Sequence, residues 1–111
     1  MPSRYVPDEG DIVWIDSDPS AGHEQSAQRP AVTLSPATYN GRAGLIVCCP
    51  TTTRITGYPF EVLLSEQPAS VALADQVKSF DWRARRATRK GRATPSELAE
   101  IRAKLHALIG Q

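Results

Sequence analysis

Apolar residues along the chain gather in short β-branched and aromatic clusters, each bounded by turn chemistry. Residues 12–16, IVWID, lie between Glu9-Gly10-Asp11 and Asp18-Pro19-Ser20 and predict a first strand. Residues 31–35, AVTLS, and 44–50, GLIVCCP, predict the next two. Asn40-Gly41 between them is a strong hairpin signal, so the two are expected to pair antiparallel. Residues 58–64, YPFEVLL, give a fourth strand with Pro59 at its start, where a missing N–H is tolerated. Residues 70–79, SVALADQVKS, give a fifth with polar interruptions. Short strands at this spacing predict a small β-barrel.

The period changes near the C-terminus. Thr94, Pro95 and Glu97 form a capping box with proline at the first helical position, and Leu98, Ile101, Leu105 and Leu108 recur at spacings of three and four. Gly110 stands where a helix stop is expected. The fold class is therefore mainly β with one C-terminal helix covering a side or end of the barrel. At 111 residues the chain suits one domain, 1–111, with no internal repeat.

Composition narrows the class without choosing a function. The 41% apolar and 23% charged fractions are those of a soluble globular protein, and no stretch approaches the roughly 20 apolar residues of a membrane span. No export leader is visible at the N-terminus, so the expected location is the cytoplasm. Cys48 and Cys49 are neighbours that point to opposite faces of an extended chain, and reduced thiols are expected. His23 and His106 lie far from them without ligand spacing, so neither a metal nor another cofactor is expected. The net charge of +1 conceals residues 82–93, WRARRATRKGRA, with six cations and no acid. Such a run is more often a solvated surface, but with an aromatic at its head it also suits nucleic acid.

Candidate chemistry lies in the first loop, GHEQSAQRPAV (22–32). Glu24 and Arg29 could act together, although on spacing alone an exposed ion pair is the commoner outcome. A lone loop histidine such as His23 is more often solvated than catalytic, and His106, between Leu105 and Leu108, suits a surface or half-buried structural role. The hydroxyls of residues 51–53, TTT, follow the third strand directly, where they can meet a phosphate or serve an ordinary turn.

Together the segments SRYVPDEGDIVWIDSDP, GHEQSAQRPAVTLSPATYN, GYPFEVLLS, VALADQVKSFDWRARRATRKG and LHALIG resemble the MazF/PemK family of toxin endoribonucleases, from about Ser3 to Gly110. The resemblance implies an SH3-like (CcdB/MazF/PemK-type) barrel acting as a homodimer. It implies cleavage of single-stranded RNA, chiefly mRNA, at short, ACA-containing sites, and silencing by a MazE-type antitoxin. By the same resemblance Arg29 and Thr52 are the catalytic pair, joined by Glu24, whereas His23 stands where the family has a small residue.

The implied reaction is metal-free attack by the RNA's 2′-hydroxyl, which needs a proton acceptor and a cation for the crowded phosphate. Glu24 suits the base, Arg29 the phosphate clamp and Thr52 a hydrogen-bonding hold. Base reading and stacking call for amides, carboxylates, aromatics and cations, and the candidates are Trp14, Asp16, Gln25, Asn40, Gln76, Lys78, Arg83 and Arg85. Among them Trp14 suits core or interface at least as well as stacking, and Gln76 and Lys78 suit an interface as well as base reading. A CcdB-like gyrase-binding toxin is the alternative from another class, and a plain RNA-binding barrel is a third. Neither requires Glu24, Arg29 and Thr52 together.

Overall fold

The computed structural model describes residues 5–17 and 27–110. Among these residues seven strands and two helices follow in the order β1 (Asp11–Asp16), β2 (Gln28–Thr33), α1 (Ala37–Ala43), β3 (Leu45–Thr52), β4 (Glu61–Leu64), β5 (Ser70–Leu73), β6 (Lys78–Asp81), β7 (Thr88–Arg92) and α2 (Pro95–Ile109). All pairings are antiparallel, in the order β4-β5-β3-β2-β1-β7, with β6 also on β3. The eight residues of β3 divide their partners: Leu45–Cys48 pair with β6, and Thr51–Thr52 pair with β5. The result is a half-barrel with β4 and β7 as its ends, the mainly β fold with a C-terminal helix that the hydrophobic pattern predicts.

Alternation along the strands sorts the interior into two clusters. Ile12, Val32, Cys49, Val62, Leu64 and Ala72 meet Ile101 of α2 in one. Val13, Ile15, Ala31, Ile46, Cys48 and Trp82 form the other. Consecutive Cys48 and Cys49 thus face opposite sides as free thiols, and burial pushes both up to about 12.

The helix α2 has the predicted capping box. Thr94 Oγ1 accepts from Glu97 N at 3.1 Å, and Thr94 N donates to Glu97 Oε1 at 2.9 Å. Gly110 at φ 78° closes the other end, donating to His106 O at 2.9 Å. The apolar stripe is one turn shorter than its spacing implies: Ile101 is fully buried, Leu98 and Leu105 pack against it, and Leu108 is 50% exposed.

Three expectations are corrected. First, no hairpin forms at Asn40-Gly41, because 37–43 is a helix. A type I′ turn needs left-handed backbone there, but the left-handed residue is Gly44 at φ 73°, which caps α1 by donating to Asn40 O. The strands on either side still pair antiparallel, Ala31 with Pro50 and Val32 with Cys49. Second, the stretch 70–79 is β5, a turn closed by Gln76 N on Leu73 O, and the start of β6. Third, the basic run contains a strand. Residues 82–86 turn, with Arg86 at φ 54°, and β7 then pairs with β1. Its residues are exposed or half-buried, so no apolar alternation marks it in the sequence.

Candidate active site

The register of the central strands brings the two principal candidates together. The β2–β3 ladder runs Thr33 to Cys48, Val32 to Cys49 and Ala31 to Pro50. Arg29 lies two residues before Ala31 and Thr52 two residues beyond Pro50, at the same end of that ladder, and both line one cleft. Arg29 is an exposed residue of β2 opposite Ile15 of β1, and Pro30 follows it opposite Trp14. Thr52 is the half-buried last residue of β3, and its Oγ1 accepts from Arg54 N at 3.1 Å.

Three clefts open around this pair. The largest, about 670 Å³, is lined by Trp14, Arg29, Thr52, Glu66, Ser70 and Lys90, among others. A second of about 260 Å³ runs between Arg29, Pro50, Gln76, Lys78 and Phe80. A third of about 370 Å³ includes Thr52, Arg54, Tyr58 and Gln76. The clefts adjoin pairwise: the first and second share Arg29 and Pro30, the first and third Thr52, and the second and third Gln76. Residues from β2, the end of β3 and the β5–β6 turn therefore link neighbouring clefts, placing a cation, a hydroxyl and an amide on their shared walls.

The walls of the large cleft tie the half-barrel's two ends together. Lys90 of β7 reaches Glu66, which follows β4, at 2.6 Å, and Ser70 Oγ donates to the other carboxylate oxygen. The same ammonium lies 5.3 Å from the centroid of the Trp14 ring, so a half-buried indole faces the cleft with a cation over it. Glu66 and Ser70 carry no sequence motif, and Lys90 is one of six cations in the run 82–93, which suits a solvated surface or nucleic acid. Only the pairing of chain-distant β1 with β7 brings Lys90 over Trp14.

The remaining candidates separate. Gln76 and Lys78 line the groove. Asp16 is half-buried, its carboxylate facing Gln28 Nε2 at 3.4 Å, and its backbone carbonyl accepts from Arg85 at 3.2 Å. Arg85 stacks on Phe80 and Arg83 on Trp82, each at 4.5 Å, and Arg83 also donates to Gly41 O at 2.9 Å. Neither arginine lines the three clefts. Asn40 turns inward and lines none of the three clefts. It is fully buried, its Oδ1 accepts from Ser35 Oγ at 2.6 Å, and its Nδ2 donates to Pro7 O and Ser35 O. Glu24, Gln25 and His23 lie outside the described residues.

Comparison with known proteins decides the family. Residues 8–109 match the family model described as PemK-like, MazF-like toxin of type II toxin-antitoxin system. The chain belongs to that family. The "Endoribonuclease toxin MazF" of Escherichia coli K12 is 59% identical over 111 residues, 99% of this chain and all of that protein. The MazF crystal structure from Deinococcus radiodurans (Form-I) is 51% identical and superposes with a TM-score of 0.84 over 96% of this chain and 99% of that one. A MazE-MazF complex structure (Form-II) from the same organism reaches 0.89 at 51% identity, covering 96% and 98%. For a PemK/MazF toxin whose relatives are named endoribonucleases, the gyrase-binding alternative is not favoured.

Proposed function

We propose that this endoribonuclease toxin cuts single-stranded RNA, chiefly mRNA, at short, ACA-containing sites by attack of the RNA's own 2′-hydroxyl, without a metal. The observation that carries the reading is the convergence of Arg29 and Thr52 on one groove from the ends of paired strands.

In this mechanism Glu24 takes the 2′-hydroxyl proton, the O2′–P bond forms and the P–O5′ bond breaks. The departing 5′-oxygen takes up a proton from solvent water and Glu24 returns its proton to solvent, leaving 2′,3′-cyclic phosphate and 5′-hydroxyl ends. Arg29 stabilises the doubly charged phosphorane, since a guanidinium stays protonated and donates bidentately. Thr52 adds a hydroxyl donor. The nucleophile is already part of the substrate, so no water needs activation. Gln76 and Lys78 line the groove as base-reading and phosphate contacts, and Trp14 supplies an aromatic wall. Gln25, Asp16, Arg83 and Arg85 extend the path, the two arginines at its periphery.

The toxin acts as a cytoplasmic homodimer held silent by a MazE-type antitoxin. Support for that partner comes from the MazE-MazF complexes whose toxin this chain resembles at TM-scores of 0.84 to 0.89. The deciding experiment incubates the purified protein with a synthetic mRNA in EDTA and maps the new 5′ ends. Cyclic-phosphate products at recurring ACA sites are expected. Cleavage that appears only when Mg²⁺ is restored overturns the metal-free mechanism, and Glu24→Gln cutting at the wild-type rate removes Glu24 as base.

A further inference from the structure

The third cleft holds more chemistry than the cut itself requires. Tyr58 lies in it with 46% of its surface exposed, large for an aromatic, yet the ring is fixed from two directions. Its hydroxyl donates to Asp75 Oδ2 at 2.6 Å, and the ring sits tilted against Phe60 with centroids 5.8 Å apart. The second Asp75 oxygen is buried without a hydrogen-bond partner among the described residues, so the phenol is the carboxylate's tether there. That bond raises the phenol's pKa and keeps it protonated. An exposed ring already held in place loses little freedom when something stacks on it.

The neighbours complete a nucleotide-sized subsite. Arg54 and the Gln76 amide line the same cleft, and Thr52 joins it to the Arg29 cleft. The carboxylate present, Glu61, is turned to internal use: it accepts from Thr56 N, Thr56 Oγ1 and Gly57 N. A cation, an amide and an anchored aromatic face one step from the reacting phosphate are the parts a splayed-out base needs.

We infer that Tyr58 is the stacking platform for a nucleotide adjoining the scissile phosphate, with Arg54 on that nucleotide's phosphate and Gln76 at its base edge. The inference rests on the RNA path proposed through Arg29 and Thr52. It makes Tyr58 a specificity-determining residue, because a ring fixed at one height admits a base only when the backbone passes Thr52 in register.

The test uses the full-length protein and an RNA oligonucleotide carrying the mapped cleavage site, with 2′-deoxyribose at the attacking position and 2-aminopurine placed in turn at each nucleotide around the cut. Stacking on Tyr58 quenches the fluorophore at one position. Tyr58→Phe keeps that quenching, whereas Tyr58→Leu abolishes it and, on the cleavable RNA, raises KM by about tenfold or more while kcat changes little. Wild-type quenching and KM in a folded Tyr58→Leu variant overturn the inference. Arg29→Ala separates the two proposals: it slows cutting by about 10²–10³-fold but leaves quenching at the Tyr58 position. If Arg29→Ala cuts normally, the catalytic assignment fails while the quenching result still reports on Tyr58.

Discussion

Arg29 and Thr52 are separated by most of two strands and a helix, and the antiparallel pairing of β2 with β3 brings them to one cleft. Because one is exposed and the other half-buried at a strand end, removing either side chain leaves the core intact. Arg29→Ala is expected to lower the RNA cleavage rate by about 10²–10³-fold with an unchanged melting temperature, the effect of losing one preorganised charge donor. Asn40 behaves oppositely. Its buried amide holds Ser35 and Pro7, and its backbone carbonyl accepts from Trp82 Nε1 at 2.8 Å. Asn40→Ala is expected to cost about 2–4 kcal/mol by urea denaturation, with catalysis per folded molecule preserved. Residue type alone could not separate these cases. An amide beside a glycine suits a turn or a base edge, and only burial shows that its valences are spent inside. The thiols follow the same logic: burial pushes Cys48 and Cys49 up to about 12, so iodoacetamide at pH 8 should leave the native protein unmodified and alkylate both in urea.

At the scale of elements, what could be read from the sequence was whatever the chain signals locally. The capping box of α2 and the first apolar strands need only neighbours within a few residues and form close to where the pattern predicts, whereas the fourth strand starts only at Glu61 and 70–79 breaks into two. The helix α1 and the strand β7 are not signalled locally. Pro36 at the start of α1 supplies no side-chain cap, and the turn's first amide is satisfied from another part of the chain, Asp8 Oδ1 accepting from Ala37 N at 2.9 Å. The Ala37 and Glu9 N–H groups hold the Asp8 carboxyl below its ordinary value of 3.8. A depressed folded pKa gives stability that is present above the unfolded value and disappears as pH falls through the folded one. Asp8→Asn should therefore destabilise by about 1 kcal/mol at pH 7, with the difference from wild type shrinking as pH falls below 3.8. In α2 the stripe's unequal burial predicts unequal costs. Ile101→Ala is expected to lose about 2–5 kcal/mol, and Leu108→Ala less than about 1 kcal/mol.

At the scale of the whole molecule, the charge distribution differs from what the basic run suggests. Four of its six cations are committed to the protein's own groups: Arg83 to Gly41 O, Arg85 to Asp16 O, Lys90 to Glu66 and Arg92 to Asp11. The run therefore fastens β7 and the turn before it to the half-barrel, closing its open side through Glu66, and does not form a free polyanion track. The cations that line the proposed RNA path with no side-chain hydrogen bond or ion pair among the described residues, Arg29, Arg54 and Lys78, come instead from three separated segments in which no cluster is visible by eye. A path with that few phosphate contacts predicts a shallow salt dependence. Plotted as log K against log salt for an uncleavable single strand, the slope should be about −2, since each contact on single-stranded nucleic acid contributes about −0.7. Lys78→Gln and Arg54→Gln should each flatten that slope by one such increment, and Arg86→Gln with Arg89→Gln should leave it unchanged. A slope near −4 that collapses in the Arg86/Arg89 double variant would instead return the basic run to the RNA path, and would require its remaining cations to leave their present partners when RNA binds.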